Sequence, residues 1–163
     1  LTYNRLFCYR RFTIYDEDGQ EIIHMLATFV LMDRESRKVH PVVPEIVAPY
    51  QSEFSKKLVR GPKYRELEEA ISKDYHVRFY DLDMNGHVNN SKYLDWIFEV
   101  MGADFLTNHI PKKINLKYVK EVRPGGMITS SYELNGLESD HQVTSDGDIN
   151  AQAKITWQEI NKD

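Results

Sequence analysis

The sequence predicts an α+β fold, and two observations carry the prediction. In the segment from Asn90 to Asn108, the residues Tyr93, Leu94, Trp96, Ile97, Phe98, Val100, Met101, Phe105 and Leu106 cover most of a helical circumference. Lys92, Asp95 and Glu99 are left as a narrow polar stripe, so this helix must be wrapped by other structure. Four strand-like runs follow it: Lys112 to Val122, Met127 to Leu134, His141 to Ser145 and Ile149 to Ile160. Pro124-Gly125-Gly126, Asn135-Gly136 and Asp146-Gly147 punctuate them as turns. With Asp74 to Tyr80 as a strand ahead of the helix, the order is strand, wrapped helix, four strands, which fits a helix packed on an antiparallel sheet.

The first third of the chain is also strand-like. Leu6 to Tyr15 and Glu21 to Asp33 flank Asp16-Glu17-Asp18-Gly19, a short glycine-bearing connection that predicts a hairpin. In the second of these strands Leu26, Val30 and Met32 share one side while Met25, Phe29 and Leu31 share the other. Apolar residues on both sides predict burial on both faces. Pro41, Pro44, Pro49 and Gly61-Pro62 then interrupt regular structure, and the charged stretch from Gln51 to Glu69 reads as a linker. Within it, Arg65 to Ala70 is expected to form a short helix. The organisation expected is therefore a first unit over 1–48, a linker over 49–72 and a second unit over 73–163.

Composition narrows the class. The 163 residues fall near single-domain size and 41% are hydrophobic, which argues against disorder. No run of about 18 apolar residues is present to span a membrane. A net charge of −4 argues against broad nucleic-acid binding. The lone cysteine, Cys8, offers neither a disulfide framework nor a zinc site, so a reducing, cytoplasmic setting is expected, with Cys8 as a small core residue. His24, His40, His76, His109 and His141 have no clustered ligand spacing and are assigned structural or surface roles. Neither a metal nor a cofactor is expected.

The densest chemistry lies in Arg78-Phe79-Tyr80-Asp81-Leu82-Asp83-Met84-Asn85-Gly86-His87-Val88-Asn89. It sits between a strand and a helix start, where a helix N-terminus can polarise a carbonyl. Asp83, Asn85 and His87 alternate with Met84 and Gly86, so an extended backbone would place a carboxylate, an amide and an imidazole on one side. A calcium loop is disfavoured, because the position that needs a bidentate carboxylate is Lys92. A purely structural loop is the competing reading: Asp, Asn and Gly form turns, and Asn89 or Asn90 can cap the helix.

The run Asp83-Met84-Asn85-Gly86-His87-Val88-Asn89-Asn90 with Lys92-Tyr93-Leu94-Asp95-Trp96, and the separate Tyr118-Val119-Lys120-Glu121, together resemble the signature of the plant and bacterial acyl-acyl carrier protein thioesterases. That resemblance implies a hotdog fold, a long central helix wrapped by an antiparallel sheet, in two tandem repeats. It further implies that the second repeat is complete here, that residues 1–48 are the closing strands of a first repeat, and that this first repeat is truncated at its N-terminal side. It implies hydrolysis of fatty acyl-acyl carrier protein thioesters in fatty acid biosynthesis, with Asp83, Asn85, His87 and Glu121 as catalytic residues. Some members of the family have a cysteine after the glutamate; here that position is Val122, so no thiol can act there.

The expected partner is an acyl carrier protein bearing a fatty acyl thioester, and a homodimer is left open. Lys112, Lys113, Lys117, Lys120 and Arg123 read either as a solvated strand face or as a docking surface for the acidic carrier. His87 and Glu121 are the candidates for activating water. Asn85 would position the substrate or the imidazole, and Asp83 would either attack directly or act as base and positioning group. An acyl-CoA thioesterase and a non-catalytic acyl-binding module are the alternatives. One geometric tension stands: in a continuous strand Glu121 shares a face with Asn115, Lys117 and Val119, opposite Ile114, Leu116 and Tyr118, unless a bulge reorients it.

Overall fold

The computed structural model of the chain describes residues 1–161. They divide into two compact units, Leu1–Arg60 and a second from Gly61 onward. In the first unit, β1 (Thr2–Tyr3), β2 (Phe7–Tyr15), β3 (Glu21–Met32), β4 (Val39–His40) and β5 (Glu53–Phe54) form a sheet in the order β4-β3-β2-β1-β5. Only the β1–β5 pair is parallel. A four-residue helix, α1 (Pro44–Val47), follows β4 and leads into a 3₁₀ turn over Ala48–Tyr50.

The β2–β3 hairpin forms where the glycine-bearing connection places it. Asp16 Oδ1 accepts from the N–H groups of Asp18 and Gln20, at 3.0 and 2.7 Å, and Gly19 takes φ +77°, a conformation that favours glycine. The expectation that the second strand is buried on both faces is overturned. Ile22, Ile23, Met25, Leu26, Phe29, Val30 and Met32 are all exposed; α1 and the 3₁₀ turn, the non-strand elements that line a pocket with Phe29 and Leu31, are too short to cover the strand. Burial in this unit concentrates at Tyr9 and Val47; the Tyr9 hydroxyl accepts from Asn4 Nδ2 and from the Val59 N–H.

The second unit has β6 (Ile71–His76), α2 (Asn90–Glu99), α3 (Ala103–Leu106), β7 (His109–Tyr118), β8 (Met127–Asn135), β9 (Glu138–Ser145) and β10 (Asp148–Glu159). Its sheet is antiparallel throughout, in the order β6-β8-β9-β10-β7. Period-2 alternation is clean in β10, where Ala151, Ala153, Ile155 and Trp157 are buried and the residues between them are not. These side chains meet Tyr93, Trp96 and Ile97 of α2, with Ile128 and Val143 completing the same core. Each large apolar side chain buried there contributes about 1.5–3 kcal/mol.

Three local expectations differ from the structure. The helix expected to run to Asn108 ends at Glu99, since Gly102 at φ +82° breaks the geometry and α3 restarts it. The strand expected over Asp74 to Tyr80 is β6, which stops at His76; Phe79–Asp81 forms a 3₁₀ turn instead, with the Arg78 N–H donating to Asp81 Oδ2 at 2.7 Å. Arg65 to Ala70 is not helical. The N–H groups of Glu68 and Glu69 both donate to Glu133 Oε1, and Arg65 pairs with Glu133 and Asp140, so the segment lies as a strap along β8 and β9.

Candidate active site

The segment 82–88 is a closed loop, not the extended run expected. Leu82 and Val88 form an antiparallel bridge, the Asp83 N–H donates to the His87 carbonyl at 2.7 Å, and Gly86 turns the chain at φ +77°. Asp83, Asn85 and His87 therefore do not share one strand face. The Asp83 carboxylate folds inward, with Oδ1 accepting from the N–H groups of Asn85 and His87 at 2.8 and 3.2 Å, and Oδ2 lying 3.5 Å from the Asn85 amide nitrogen. Partial burial alone would raise the pKa of Asp83, but these hydrogen bonds and the nearby His87 outweigh it and hold the carboxyl below its usual range. Asn85 and His87 point outward from the loop's exposed side.

Beneath the loop lies an anchor that the sequence reading missed. Asp81 is fully buried and accepts from the Arg78 N–H and guanidinium, while its carbonyl accepts from the Asn89 N–H at 2.8 Å. Burial opposes ionisation, yet Arg78 supplies enough hydrogen bonds and charge to keep this pKa lowered as well. Asp81 thus ties the loop to the start of α2. Asn89 caps that helix, its side chain accepting from the Ser91 N–H at 3.0 Å. An Asp three residues after the Arg, where the strand gives way to the loop, was the available signal.

Glu121 reaches the loop from the segment that follows β7. The strand expected to carry it through to Val122 ends at Tyr118, so the face that alternation assigned to Glu121 does not apply. Glu121 Oε1 lies 3.8 Å from His87 Nδ1, with both side chains about half exposed. An ion pair so open contributes little to stability. Val122 is buried, and its N–H donates to the Tyr93 hydroxyl at 3.3 Å. Tyr118, the first residue of the Tyr-x-x-Glu pattern, donates its hydroxyl to the Asn90 carbonyl at 2.9 Å. Both tyrosines tie the Glu121 segment to α2, and burial raises their hydroxyl pKa values, keeping them neutral.

A polar cavity of about 280 Å³ adjoins Glu121, lined by Lys120, Arg123, Ser145, Asp146, Asp148 and Asn150 as well. Lys120 is paired with Asp148 there. Among the described residues no group of three or more metal-ligating side chains comes together, and no helix is long and apolar enough to cross a membrane. The arrangement supplies an imidazole facing a carboxylate beside a helix N-terminus, which is equipment for activating water against a carbonyl.

Comparison with known proteins agrees in sequence and in fold. Residues 64–159 match the family described as acyl-ACP thioesterase C-terminal domain, and residues 1–50 match the acyl-ACP thioesterase N-terminal domain. The palmitoyl-acyl carrier protein thioesterase of Gossypium hirsutum is 25% identical over 83% of this chain and 35% of its own length. The dodecanoyl-[acyl-carrier-protein] hydrolase of Umbellularia californica is 25% identical over 84% of this chain and 38% of its own. The chain thus spans little more than a third of these relatives. Among solved structures, an oleoyl thioesterase from Lactobacillus plantarum superposes with a TM-score of 0.91 at 34% identity, covering 99% of this chain and 66% of that one. The 12:0-ACP thioesterase of Umbellularia californica superposes at 0.83 with 23% identity, covering 96% of this chain and 64% of that one, a likeness of fold. With more than half of its residues matched to one family, the chain belongs to the acyl-ACP thioesterases.

Proposed function

We propose that this chain carries the catalytic centre of a fatty acyl-ACP thioesterase, releasing free fatty acid and the carrier thiol. The observation that carries the proposal is the approach of His87 Nδ1 to Glu121 Oε1, 3.8 Å apart, at the N-terminal end of α2. With Nδ1 turned toward Glu121, Nε2 is the nitrogen available to water. Imidazole takes a proton from the water as its oxygen bonds to the thioester carbonyl carbon, and the Glu121 carboxylate balances the charge left on the ring. Negative charge gathers on the carbonyl oxygen, where the positive end of the α2 dipole can stabilise it. When the carbon–sulfur bond breaks, the imidazolium returns the proton to the departing thiolate, leaving acid and thiol.

Asp83 fits positioning better than direct attack in this scheme. Its oxygens already accept three hydrogen bonds within the loop, and its lowered pKa makes it a weak nucleophile and a weak base. Asn85, held at Asp83, is the candidate for contacting substrate. For the first unit, the two exposed apolar faces of β3 support its reading as the closing strands of a further hotdog repeat whose helix would cover one of them.

The choice of thiol carrier is tested with a panel of acyl-ACP and acyl-CoA thioesters of several chain lengths, using the full-length protein. Carrier-protein substrates are expected to win by kcat/KM, and reversing the charges of Lys117 and Lys120 is expected to erase much of that advantage at low salt. Equal or better turnover of acyl-CoA, unaffected by the charge reversal, would assign the protein to acyl-CoA instead.

A further inference from the structure

Asn150 sits at a fault in the β10 ladder. Ile149 pairs with Thr144 and Ala151 pairs with Val143, so Asn150 is one residue too many on its strand and forms a bulge. On the other side, the β10–β7 ladder ends at the Ala151–Tyr118 pair, immediately before Val119. The bulge aims both the backbone and the side chain of Asn150 at the segment that delivers Glu121.

Every polar group of this residue that faces the segment is in use. Its carbonyl accepts from the N–H groups of Val119 and Lys120, at 2.8 and 3.2 Å. Its side-chain nitrogen donates to the carbonyls of Lys120 and Glu121, at 3.3 and 3.4 Å, while its side-chain oxygen accepts from the Ser145 hydroxyl at 2.8 Å. Asn150 is only 1% exposed, so breaking these contacts would strand buried polar atoms. Only an amide serves here, because two donors and an acceptor are required on one short side chain.

We propose that Asn150 is a positioning residue for the active site, acting through the Lys120 and Glu121 backbone to set where the Glu121 carboxylate meets His87. Its kinetic consequence rests on the thioesterase reading; its structural consequence does not. A catalytic carboxylate outside any ladder needs some other constraint, since misplacement by about 1 Å is costly in rate. The bulge supplies that constraint from below and the Tyr93 hydroxyl, holding the Val122 N–H, supplies it from the helix side.

The test combines hydrogen exchange with a double-mutant cycle on the full-length protein. Asn150→Asp keeps the shape and the acceptor for Ser145 but turns an oxygen toward two carbonyls. It is expected to speed amide exchange at Lys120 and Val122, whose N–H groups donate to the Asn150 carbonyl and the Tyr93 hydroxyl, by tenfold or more while leaving the β8–β9 ladder unchanged. With oleoyl-ACP as substrate, kcat is expected to fall about tenfold with KM within twofold, and to show no further fall in a Glu121→Gln background. A residue that merely supports the fold would give equal losses in both backgrounds and exchange that rises across the sheet, which would overturn the proposal. If Asn150→Asp does not fold, Ser145→Ala, which frees the amide to rotate, is read by the same exchange; unchanged protection at Lys120 and Val122 in it overturns the clamp. If the wild type hydrolyses no thioester, the exchange result alone decides the structural claim, and the thioesterase reading fails separately.

Discussion

β3 and β10 are both twelve-residue strands rich in apolar side chains, yet one is exposed along nearly its whole length and the other is buried on every second residue from Ala151 to Trp157. The difference is not in the strands' propensity. β10 alternates, with Ala151, Ala153, Ile155 and Trp157 meeting a ten-residue helix on one side, whereas β3 is apolar on both sides and its unit offers only the four-residue α1 and a 3₁₀ turn beside it. A strand's sequence therefore states how much burial it can use, while neighbouring elements decide how much it receives.

The largest consequence concerns stability. Both tryptophans, Trp96 and Trp157, lie in the core of the second unit, so tryptophan fluorescence in urea follows that unit's unfolding. Ile155→Ala is expected to cost about 2–5 kcal/mol there, through lost burial and a cavity. Ile23→Ala in β3 is expected to change the same transition by less than about 0.5 kcal/mol, as for an exposed position. Comparable costs at the two positions would break the contrast.

A smaller effect, again confined to the second unit, comes from His141. It is 2% exposed, its Nε2 hydrogen-bonds with the Ser139 hydroxyl at 2.7 Å, and its Nδ1 is buried without a partner among the described residues. Burial pushes its pKa down to about 4, against the partial counter-effect of Asp140. The unfolded chain, with histidine near 6.5, binds this proton more readily than the folded chain. Stability is therefore lost as pH falls from about 6.5 to 4, by about 1–3 kcal/mol in all. Urea midpoints measured by tryptophan fluorescence at pH 7 and 4.5 should show the loss, and His141→Gln should flatten it. An unchanged slope in that variant would place the sensitivity elsewhere. Below pH 4 the lowered carboxyls of Asp81 and Asp83 add their own loss as they protonate.

What could be read from the sequence follows the range of the physics involved. Local signals were legible: the turn residues Asp16 to Gly19, the β10 alternation and the all-round apolar character of α2 each belong to a few consecutive residues. Gly102 was a visible stop signal that the apolar residues beyond it obscured. Resemblance to a family's two motifs named His87 and Glu121, whose side chains lie 3.8 Å apart. The means by which they meet was not legible, because it depends on a strand ending at Tyr118, a bulge at Asn150 and the Tyr93 hydroxyl from α2, all fixed by pairing between distant segments. The extended reading of Asp83 to His87 failed for a local reason: an Asp followed by Asn and Gly satisfies its own backbone donors as a turn before it can extend.

The central claim, that His87 and Glu121 act as one unit on water, is tested most directly by turnover of acyl-ACP in the wild type, His87→Ala, Glu121→Gln and the double variant. Each single variant is expected to lower kcat by about a hundredfold or more, with the double variant little worse than either. A folded Glu121→Gln protein with wild-type turnover would contradict the account.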